Sequence, residues 1–170
     1  MKLLEPWMKV DKVSVIDLDM LRGQGIDTLL LDMDNTVVPW HTFNVDEKTG
    51  SWIEEAKALG FKICIISNNQ KWRIVKITAA LGVHGVWGAC KPLLGGYLKA
   101  LRKLGSKKHA SVFVGDQIFT DIFGANILGV RTILVRPLSR REMLWTRIMR
   151  RFETLLTGRV LDGKAEQHGD

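Results

Sequence analysis

Cysteine is scarce in this sequence: it has only Cys64 and Cys90, and no CxxC pair or Cys/His cluster. Two cysteines cannot build a multi-bridge disulfide framework, and their spacing offers no zinc site. Glu5 and Pro6 interrupt the apolar N-terminus, so no signal peptide is predicted. No stretch reaches the roughly 18 apolar residues of a membrane-spanning helix. These absences predict a cytoplasmic protein in a reducing compartment.

The bulk composition is that of an ordinary globular protein. The 170 residues are 46% hydrophobic and 25% charged, which predicts one domain with a substantial core. The net charge is +7, and residues 136–159 alone carry seven arginines against two glutamates. A basic segment favours anionic partners such as lipid headgroups, nucleic acid or phosphorylated substrates.

Apolar runs alternate with helical segments between residues 28 and 135. Strands are predicted at 28–33, 61–66, 83–88, 110–114 and 131–135. Helices are predicted between them at 46–59, 71–81, 93–104 and 120–128, each followed by a glycine. This rhythm predicts a five-stranded parallel sheet in a Rossmann-like three-layer α/β/α sandwich.

The first of these strands ends in two carboxylates, Asp32 and Asp34, which we expect to leave the strand on the same side. Polar side chains also follow the other strands, namely Ser67 and Asn68, then Lys91, then Asp116 and Asp121. Ligands of parallel sheets bind beyond the carboxyl ends of the strands. Carboxylates, a lysine and a hydroxyl at this edge suit Mg²⁺ and a phosphoryl group, and an aspartate there could act as a nucleophile.

These residues resemble the four motifs of the haloacid dehalogenase (HAD) superfamily of aspartate-nucleophile phosphatases. The segment Asp32-Met33-Asp34-Asn35-Thr36 is similar to the first motif, Ser67 to the second, Lys91 to the third, and Gly115-Asp116 with Asp121 to the fourth. The resemblance implies that Asp32 forms an aspartyl phosphate. It also implies that Asp34 acts as general acid and then as general base.

The same resemblance implies the remaining roles. Mg²⁺ would be held by the carboxylates of Asp32 and Asp116 and by the backbone carbonyl of Asp34. The phosphoryl oxygens would be bound by Ser67, the Asn68 backbone and Lys91. Asp121 would orient Lys91 or a metal-bound water, and Thr36 would shape the loop.

Members of the superfamily usually carry a cap domain after the first motif or between the second and third. Only about ten residues separate Thr36 from the helix near Asp46, and one helix and one strand separate Ser67 from Lys91. Neither gap accommodates a cap, so residues 1–135 are predicted to form a capless domain with an open site. The motif wording resembles subclass IIIA, the group of YqeG-type bacterial proteins and phosphatidylglycerophosphate phosphatases.

Residues 136–158 are predicted to hold a basic amphipathic helix, followed by a flexible tail at 159–170. Ser139 and Glu142 have capping-box spacing, and the helix would run to about Thr157. Its apolar face either packs on the same domain or enters an anionic membrane surface, with a protein or RNA contact as a third alternative. The localisation alternatives are therefore cytoplasmic and peripheral on the inner face of the membrane.

The sequence predicts a Mg²⁺-dependent phosphomonoester hydrolase acting on phosphatidylglycerophosphate or a related phospholipid phosphate. One alternative is a capless phosphatase for a soluble sugar phosphate, a nucleotide or a phosphoprotein. A second is a non-catalytic RNA- or protein-binding assembly module. The oligomeric state stays open.

Overall fold

The structure is a computed structural model that describes residues 3–139. Six parallel strands form one sheet: β1 (Met8–Val10), β2 (Thr28–Asp32), β3 (Lys62–Ile66), β4 (His84–Val86), β5 (Ser111–Gly115) and β6 (Arg131–Val135). Their order in space is β1-β6-β5-β2-β3-β4. Strand β2, which carries Asp32, therefore lies inside the sheet, with β5 and β3 on either side.

Helices cover both faces of this sheet. They are α1 (Leu18–Gly23), α2 (Glu47–Ala58), α3 (Lys71–Leu81), α4 (Gly95–Leu104) and α5 (Gly124–Leu128), and a π-helical segment at Ile118–Phe123 runs directly into α5. Side chains of a strand alternate between faces, so Leu29 and Leu31 pack with α1, α2 and α3, while Leu30 packs with α4 and α5. This is the predicted three-layer α/β/α architecture.

Local sequence signals explain where these helices begin and end. The Asp46 carboxylate caps α2 by accepting hydrogen bonds from the Thr49 backbone N–H (3.2 Å) and hydroxyl (2.7 Å). Helix α3 ends where Gly82 adopts a left-handed conformation with φ of 62°. Both helices lie within a residue of their predicted bounds.

The prediction of five strands was wrong in number, because the N-terminal lead contributes a sixth. Strand β1 has only three residues, and its pairing partner β6 is more than 120 residues away in the chain, so no local pattern marks it. The structure also differs from the prediction at residues 120–128, which were predicted to form one α-helix. The structure has a π-helical segment from Ile118 and only a short α-helix after it, and the reason concerns the candidate site.

The loops at the carboxyl edge of the sheet hold no inserted domain in the described chain. Residues 33–46 connect β2 to α2, and α3 with its flanking turns fills the path from β3 to β4. The capless prediction therefore agrees with these residues. No helix within 3–139 is long and apolar enough to cross a membrane. The predicted helix at 136–158 and the tail at 159–170 lie outside the described residues, except for residues 136–139.

Candidate active site

The centre of the candidate site is a buried ion-pair network at the end of β2. The Lys91 ammonium donates hydrogen bonds to Asp32 Oδ1 and to Asp121 Oδ1, the latter over 2.6 Å. Asp32 and Lys91 are each only 5% exposed, and Asp121 is fully buried. Three charged groups withdrawn from water are stable only when paired, so Lys91 holds the two carboxylates in place.

Three carboxylates converge at this point. Asp32, Asp116 and Asp121 each offer one oxygen, and these oxygens lie within 4.8 Å of one another. Among residues 3–139, Asp32 Oδ2 and Asp116 Oδ1 are buried without a hydrogen-bond partner. Unpartnered buried carboxylate oxygens are costly, and they are the ligands that a hard divalent cation prefers. The residues present therefore fit Mg²⁺.

The electrostatics of the cluster agree with this fit. Burial raises the pKa of Asp32 to about 7; the Lys91 ammonium opposes that rise, and the nearby Asp121 and Asp34 carboxylates add to it. Burial, followed by the charges of Asp32 and Asp121, raises the pKa of Asp116 to about 9. Burial lowers the pKa of Lys91, but the Asp121 and Asp32 carboxylates outweigh it and hold that pKa above its usual range. If all three carboxylates were ionised, they would carry more negative charge than one lysine can neutralise, and a divalent cation would supply the missing positive charge.

Asp34 has a different set of partners from Asp32. Arg73 donates to Asp34 Oδ1 from Nε (3.1 Å) and Nη2 (3.0 Å). Ser67 Oγ (3.2 Å) and Asn69 Nδ2 (3.4 Å) donate to the other oxygen, Oδ2. Four donors thus fix the Asp34 carboxylate, so the two aspartates that leave β2 occupy neighbouring but separate groups.

Ser67 and Asn68 lie in the turn after β3. Ser67 bonds the Asp34 side chain, and Asn68 bonds the backbone of Lys91. Ser67 Oγ accepts a hydrogen bond from the Asn69 backbone N–H (2.9 Å) while it donates to Asp34. The Asn68 side chain accepts from the Lys91 backbone N–H (2.7 Å) and donates to the Lys91 carbonyl (3.1 Å). The Lys91–Pro92 peptide bond is cis. Asn68 therefore positions the backbone from which the Lys91 side chain extends.

The turn after Asp34 depends on Asn35, which is buried and has a left-handed φ of 64°. Asparagine tolerates this conformation better than most residues. Its side-chain oxygen accepts hydrogen bonds from Ser139 Oγ (2.6 Å) and from the Trp40 backbone N–H (3.3 Å). Thr36 is 2% exposed, and its hydroxyl has no hydrogen-bond partner among residues 3–139.

The fourth strand end is shaped by the π-helical segment. The Gln117 backbone N–H donates to Asp121 Oδ2 (3.1 Å), so Asp121 caps the segment with one oxygen and pairs with Lys91 through the other. A Cβ at Gly115 would collide with the Asp121 carboxylate, so the close approach of Asp121 to β5 requires glycine there. This geometry brings Asp121 into the carboxylate cluster, where the sequence assigned it only a supporting role.

With one difference in grouping, the structure thus brings together seven of the residues selected from the sequence: Asp32, Asp34, Ser67, Asn68, Lys91, Asp116 and Asp121. Thr36 lies buried in the turn after Asp34. The third carboxylate beside Asp32 and Asp116 is that of Asp121, whereas the Asp34 side chain bonds Arg73. Arg73 itself was missed. A signal was available, because Arg73 falls one helical turn before Ile77 and beside Ile74, on the apolar stripe of α3, where an arginine is unusual.

Together these features describe a doubly wound α/β protein with a carboxylate and lysine site at the carboxyl edge of its sheet. The family model for haloacid dehalogenase-like hydrolases matches residues 40–129. "Probable phosphatase YqeG" of Bacillus subtilis (strain 168) is 33% identical over 144 residues, which cover 85% of this chain and 84% of that protein. The chain therefore belongs to the haloacid dehalogenase-like hydrolase family, and the predicted class of enzyme, a phosphatase, is confirmed.

Two further comparisons refine this relationship. "Phosphatidylglycerophosphate phosphatase 1, chloroplastic/mitochondrial" of Arabidopsis thaliana is 28% identical over 166 residues, covering 92% of this chain. The chain spans only 48% of that protein. An uncharacterized protein from Listeria monocytogenes serotype 4b shares the fold, with a TM-score of 0.56 and 22% identity over 69% of this chain and 85% of that one.

Proposed function

We propose that this protein is a Mg²⁺-dependent phosphomonoester hydrolase that works through an aspartyl phosphate on Asp32 and acts on a lipid-borne phosphate such as phosphatidylglycerophosphate. One observation carries the proposal: the buried Asp32 has one oxygen bonded to Lys91 and the other without a partner in the described chain. A buried carboxylate that Lys91 orients through one oxygen, with the other oxygen open to a divalent cation, is arranged for nucleophilic attack.

In the first step, an Asp32 oxygen attacks the phosphorus and the bond from phosphorus to the ester oxygen breaks. The Asp34 carboxyl gives its proton to the departing oxygen, so that an alcohol leaves. Lys91 orients the Asp32 carboxylate and offers positive charge to the phosphoryl oxygens. The Ser67 hydroxyl, which bonds Asp34 Oδ2, can turn to donate to a phosphoryl oxygen.

In the second step, the Asp34 carboxylate accepts a proton from a water molecule that attacks the phosphorus of the aspartyl phosphate. The bond to Asp32 breaks, and inorganic phosphate and the free carboxylate are regenerated. Once Ser67 has turned to the phosphoryl group, a lone pair of Asp34 Oδ2 is open to take up the proton, while the two bonds from Arg73 to Oδ1 keep the carboxylate in one orientation.

Asp32 and Asp116, with the backbone carbonyl of Asp34, would hold Mg²⁺. Asp121 adds a third carboxylate to the cluster. The ion, when bound, would neutralise charge on the phosphoryl group as a Lewis acid. The unpartnered oxygens of Asp32 and Asp116 support this assignment.

The lipid substrate is supported by the short loops around the site and by one relative. With no inserted domain between β2 and α2 or between β3 and β4, the described chain has no cap that would enclose a small molecule. An open site accepts a phosphate presented from a surface. The Arabidopsis relative is named as a phosphatase for a lipid of this class.

A substrate screen tests the proposal. The full chain should release phosphate from phosphatidylglycerophosphate in vesicles when Mg²⁺ is present and lose that activity when EDTA is added. The panel should include a sugar phosphate, a nucleotide and a phosphopeptide at matched concentrations. Preference for one of these would replace the lipid by a soluble substrate, and no turnover of any phosphomonoester would overturn the proposal.

Arg73 is the residue that we propose to position Asp34 for proton transfer. Its guanidinium is 4.9 Å from the Phe43 ring, and Nη2 also donates to the Trp40 carbonyl over 2.8 Å. Arg73 therefore ties α3 to both Asp34 and the loop after it, and it is only 6% exposed. The planar fork of arginine makes these contacts together, which a lysine ammonium cannot reproduce.

The Arg73→Lys variant should reveal this role through leaving groups. We expect an alkyl phosphate, whose alkoxide needs a proton, to be hydrolysed roughly 10² times more slowly. We expect a smaller loss with p-nitrophenyl phosphate, because p-nitrophenolate leaves without protonation. The measurement is kcat for a series of leaving groups, with Arg102→Lys on the exposed surface of α4 as the matched control. An equal loss for every leaving group would assign Arg73 a merely structural role.

A further inference from the structure

The basic residues of the described chain are segregated to one half of the fold. Residues 56–115 contain 11 Lys/Arg and no Asp or Glu, whereas residues 3–55 contain 11 Asp/Glu and four Lys/Arg. The acid-free stretch includes β3, α3, β4 and α4. Strand β4 is the edge of the sheet, with α3 packed on one face and α4 on the other. Lys57, Arg73 and Lys91 pair with acidic residues outside this stretch, and the other eight Lys/Arg give this half of the molecule a positive field.

Aromatic side chains alternate with lysines where this half meets the carboxyl edge of the sheet. The Lys71 and Lys99 amino groups each lie 5.2 Å from the centre of the Trp87 ring. The Phe43 ring lies 5.7 Å from the Trp72 ring and 4.3 Å from the Lys76 amino group. We call these residues the lysine-aromatic rim: Phe43, Lys71, Trp72, Lys76, Trp87 and Lys99.

The rim is exposed although its aromatic residues are large. Trp72 is 60% exposed and Trp87 is 36% exposed. Leu93, two residues after Lys91, is a further apolar side chain, at 53% exposure. Tryptophan beside lysine is typical of surfaces that enter the interface of an anionic membrane, where the ring lies at headgroup level and the ammonium meets phosphate. An aliphatic leucine adds apolar area that a lipid surface can accept.

The rim connects to the candidate site at two places. Phe43 contacts Arg73, which bonds Asp34. Gly88, next to Trp87, donates its backbone N–H to the Asn69 carbonyl over 3.1 Å, and the Asn69 side chain also bonds Asp34. Rim residues therefore contact, directly or through a neighbouring residue, the two side chains Arg73 and Asn69 that bond Asp34.

We propose that the lysine-aromatic rim docks on the anionic headgroup layer of a lipid bilayer, so that a phosphate on a lipid reaches Asp32 from the surface. This inference deepens the proposed function and rests on it for the substrate. It assigns membrane contact to the globular domain, in addition to any contact made by the basic segment after residue 139.

Vesicle sedimentation of the full chain tests the charge part of the proposal. The Lys71→Glu/Lys99→Glu variant should bind vesicles of phosphatidylcholine and phosphatidylglycerol at least about tenfold more weakly than the unmodified chain. The matched control is Lys107→Glu/Lys108→Glu, which makes the same charge change at exposed lysines that precede β5 and so lie at the amino ends of the strands, away from the rim. Equal binding by the two variants would overturn the proposal.

The aromatic part is tested by Trp72→Ser against Trp7→Ser. Trp7 is 40% exposed and also lies beside a cation, Arg131. It immediately precedes β1, the edge strand farthest from β4, so it lies away from the rim. Only Trp72→Ser should weaken vesicle binding. Hydrolysis of p-nitrophenyl phosphate by the same proteins separates the docking proposal from the catalytic one. If none of the proteins hydrolyses it, the catalytic function is overturned, whereas vesicle binding still reports on docking. Binding to RNA but not to vesicles would overturn lipid docking.

Discussion

Replacing Asp32 with asparagine should reduce phosphate release by at least about 10³-fold on every substrate, because the amide oxygen cannot form the aspartyl phosphate. The substitution keeps the shape of the side chain. It also removes a carboxylate whose pKa burial raises to about 7, so we expect no large loss of stability. Turnover under saturating Mg²⁺ and the melting temperature should be measured on the same preparations.

The control for this variant is Asp27→Asn. Asp27 is exposed and immediately precedes β2, so it tests the same substitution at the opposite end of the same strand. It should keep full activity. If Asp32→Asn retains more than about a tenth of the turnover, the covalent mechanism is wrong even if the protein remains a phosphatase.

The covalent step has its own signature. In a single turnover in ¹⁸O-water, the label should appear in the released phosphate, because water attacks phosphorus when the aspartyl phosphate is hydrolysed. Acid quenching during the turnover should trap phosphate on the protein, and the Asp32→Asn variant should trap none. Direct attack of water on the substrate would also label the phosphate but would leave no phosphate on the protein.

The fold was predictable where apolar runs are long and helices end at glycine. Helix α3 and strand β6 have the predicted bounds, since Gly82 and the apolar segment 131–135 mark them locally. Strand β1 could not be found in this way, because three residues give no periodicity and its only support is a partner distant in sequence. Long-range pairing decides such an element, and a local pattern does not contain that information.

The site was predictable in its members but not in its contacts. Because parallel strands bring their carboxyl ends together, the strand-end rule selects seven residues: Asp32, Asp34, Ser67, Asn68, Lys91, Asp116 and Asp121. It cannot say that the side chain of Asp121, and not that of Asp34, joins Asp32 and Asp116, because this depends on the π-helical segment and on the missing side chain of Gly115. It also cannot pair Asp34 with Arg73, since the turn at Asn35 decides where the Asp34 side chain goes.

Lys91→Met should have the largest effect on stability together with a loss of activity. The variant leaves the buried Asp32 and Asp121 carboxylates without the ammonium that bonds both of them. Removing one partner of a buried ion pair costs about 3–5 kcal/mol of unfolding free energy. Phosphate release should fall by at least about 10²-fold, because the charge opposite the phosphoryl oxygens is also lost. Urea unfolding and turnover measure the two effects.

The loss of stability should depend on pH with a definite sign. An acid whose pKa is higher in the folded state than its ordinary value of 3.8 destabilises the fold as the pH rises above that value. Without Lys91, nothing opposes the effect of burial on Asp32, so its pKa should rise further. Both proteins should lose this stability together between pH 3.8 and about 7, so their difference in unfolding free energy should grow as the pH rises above about 7, where Asp32 ionises in the unmodified chain but stays protonated in Lys91→Met.

A second substitution separates stability from catalysis. In Lys91→Met/Asp121→Asn, one of the two stranded carboxylates becomes neutral, so much of the lost unfolding free energy should return while phosphate release stays low. Lys107→Met, at an exposed lysine outside the site, should change neither quantity. Recovery of both stability and turnover in the double variant would show that Lys91 only balances charge. Recovery of stability alone, with clearly higher turnover in Asp121→Asn than in the double variant, places its ammonium in the reaction as well, as the partner of the phosphoryl group that Asp32 attacks.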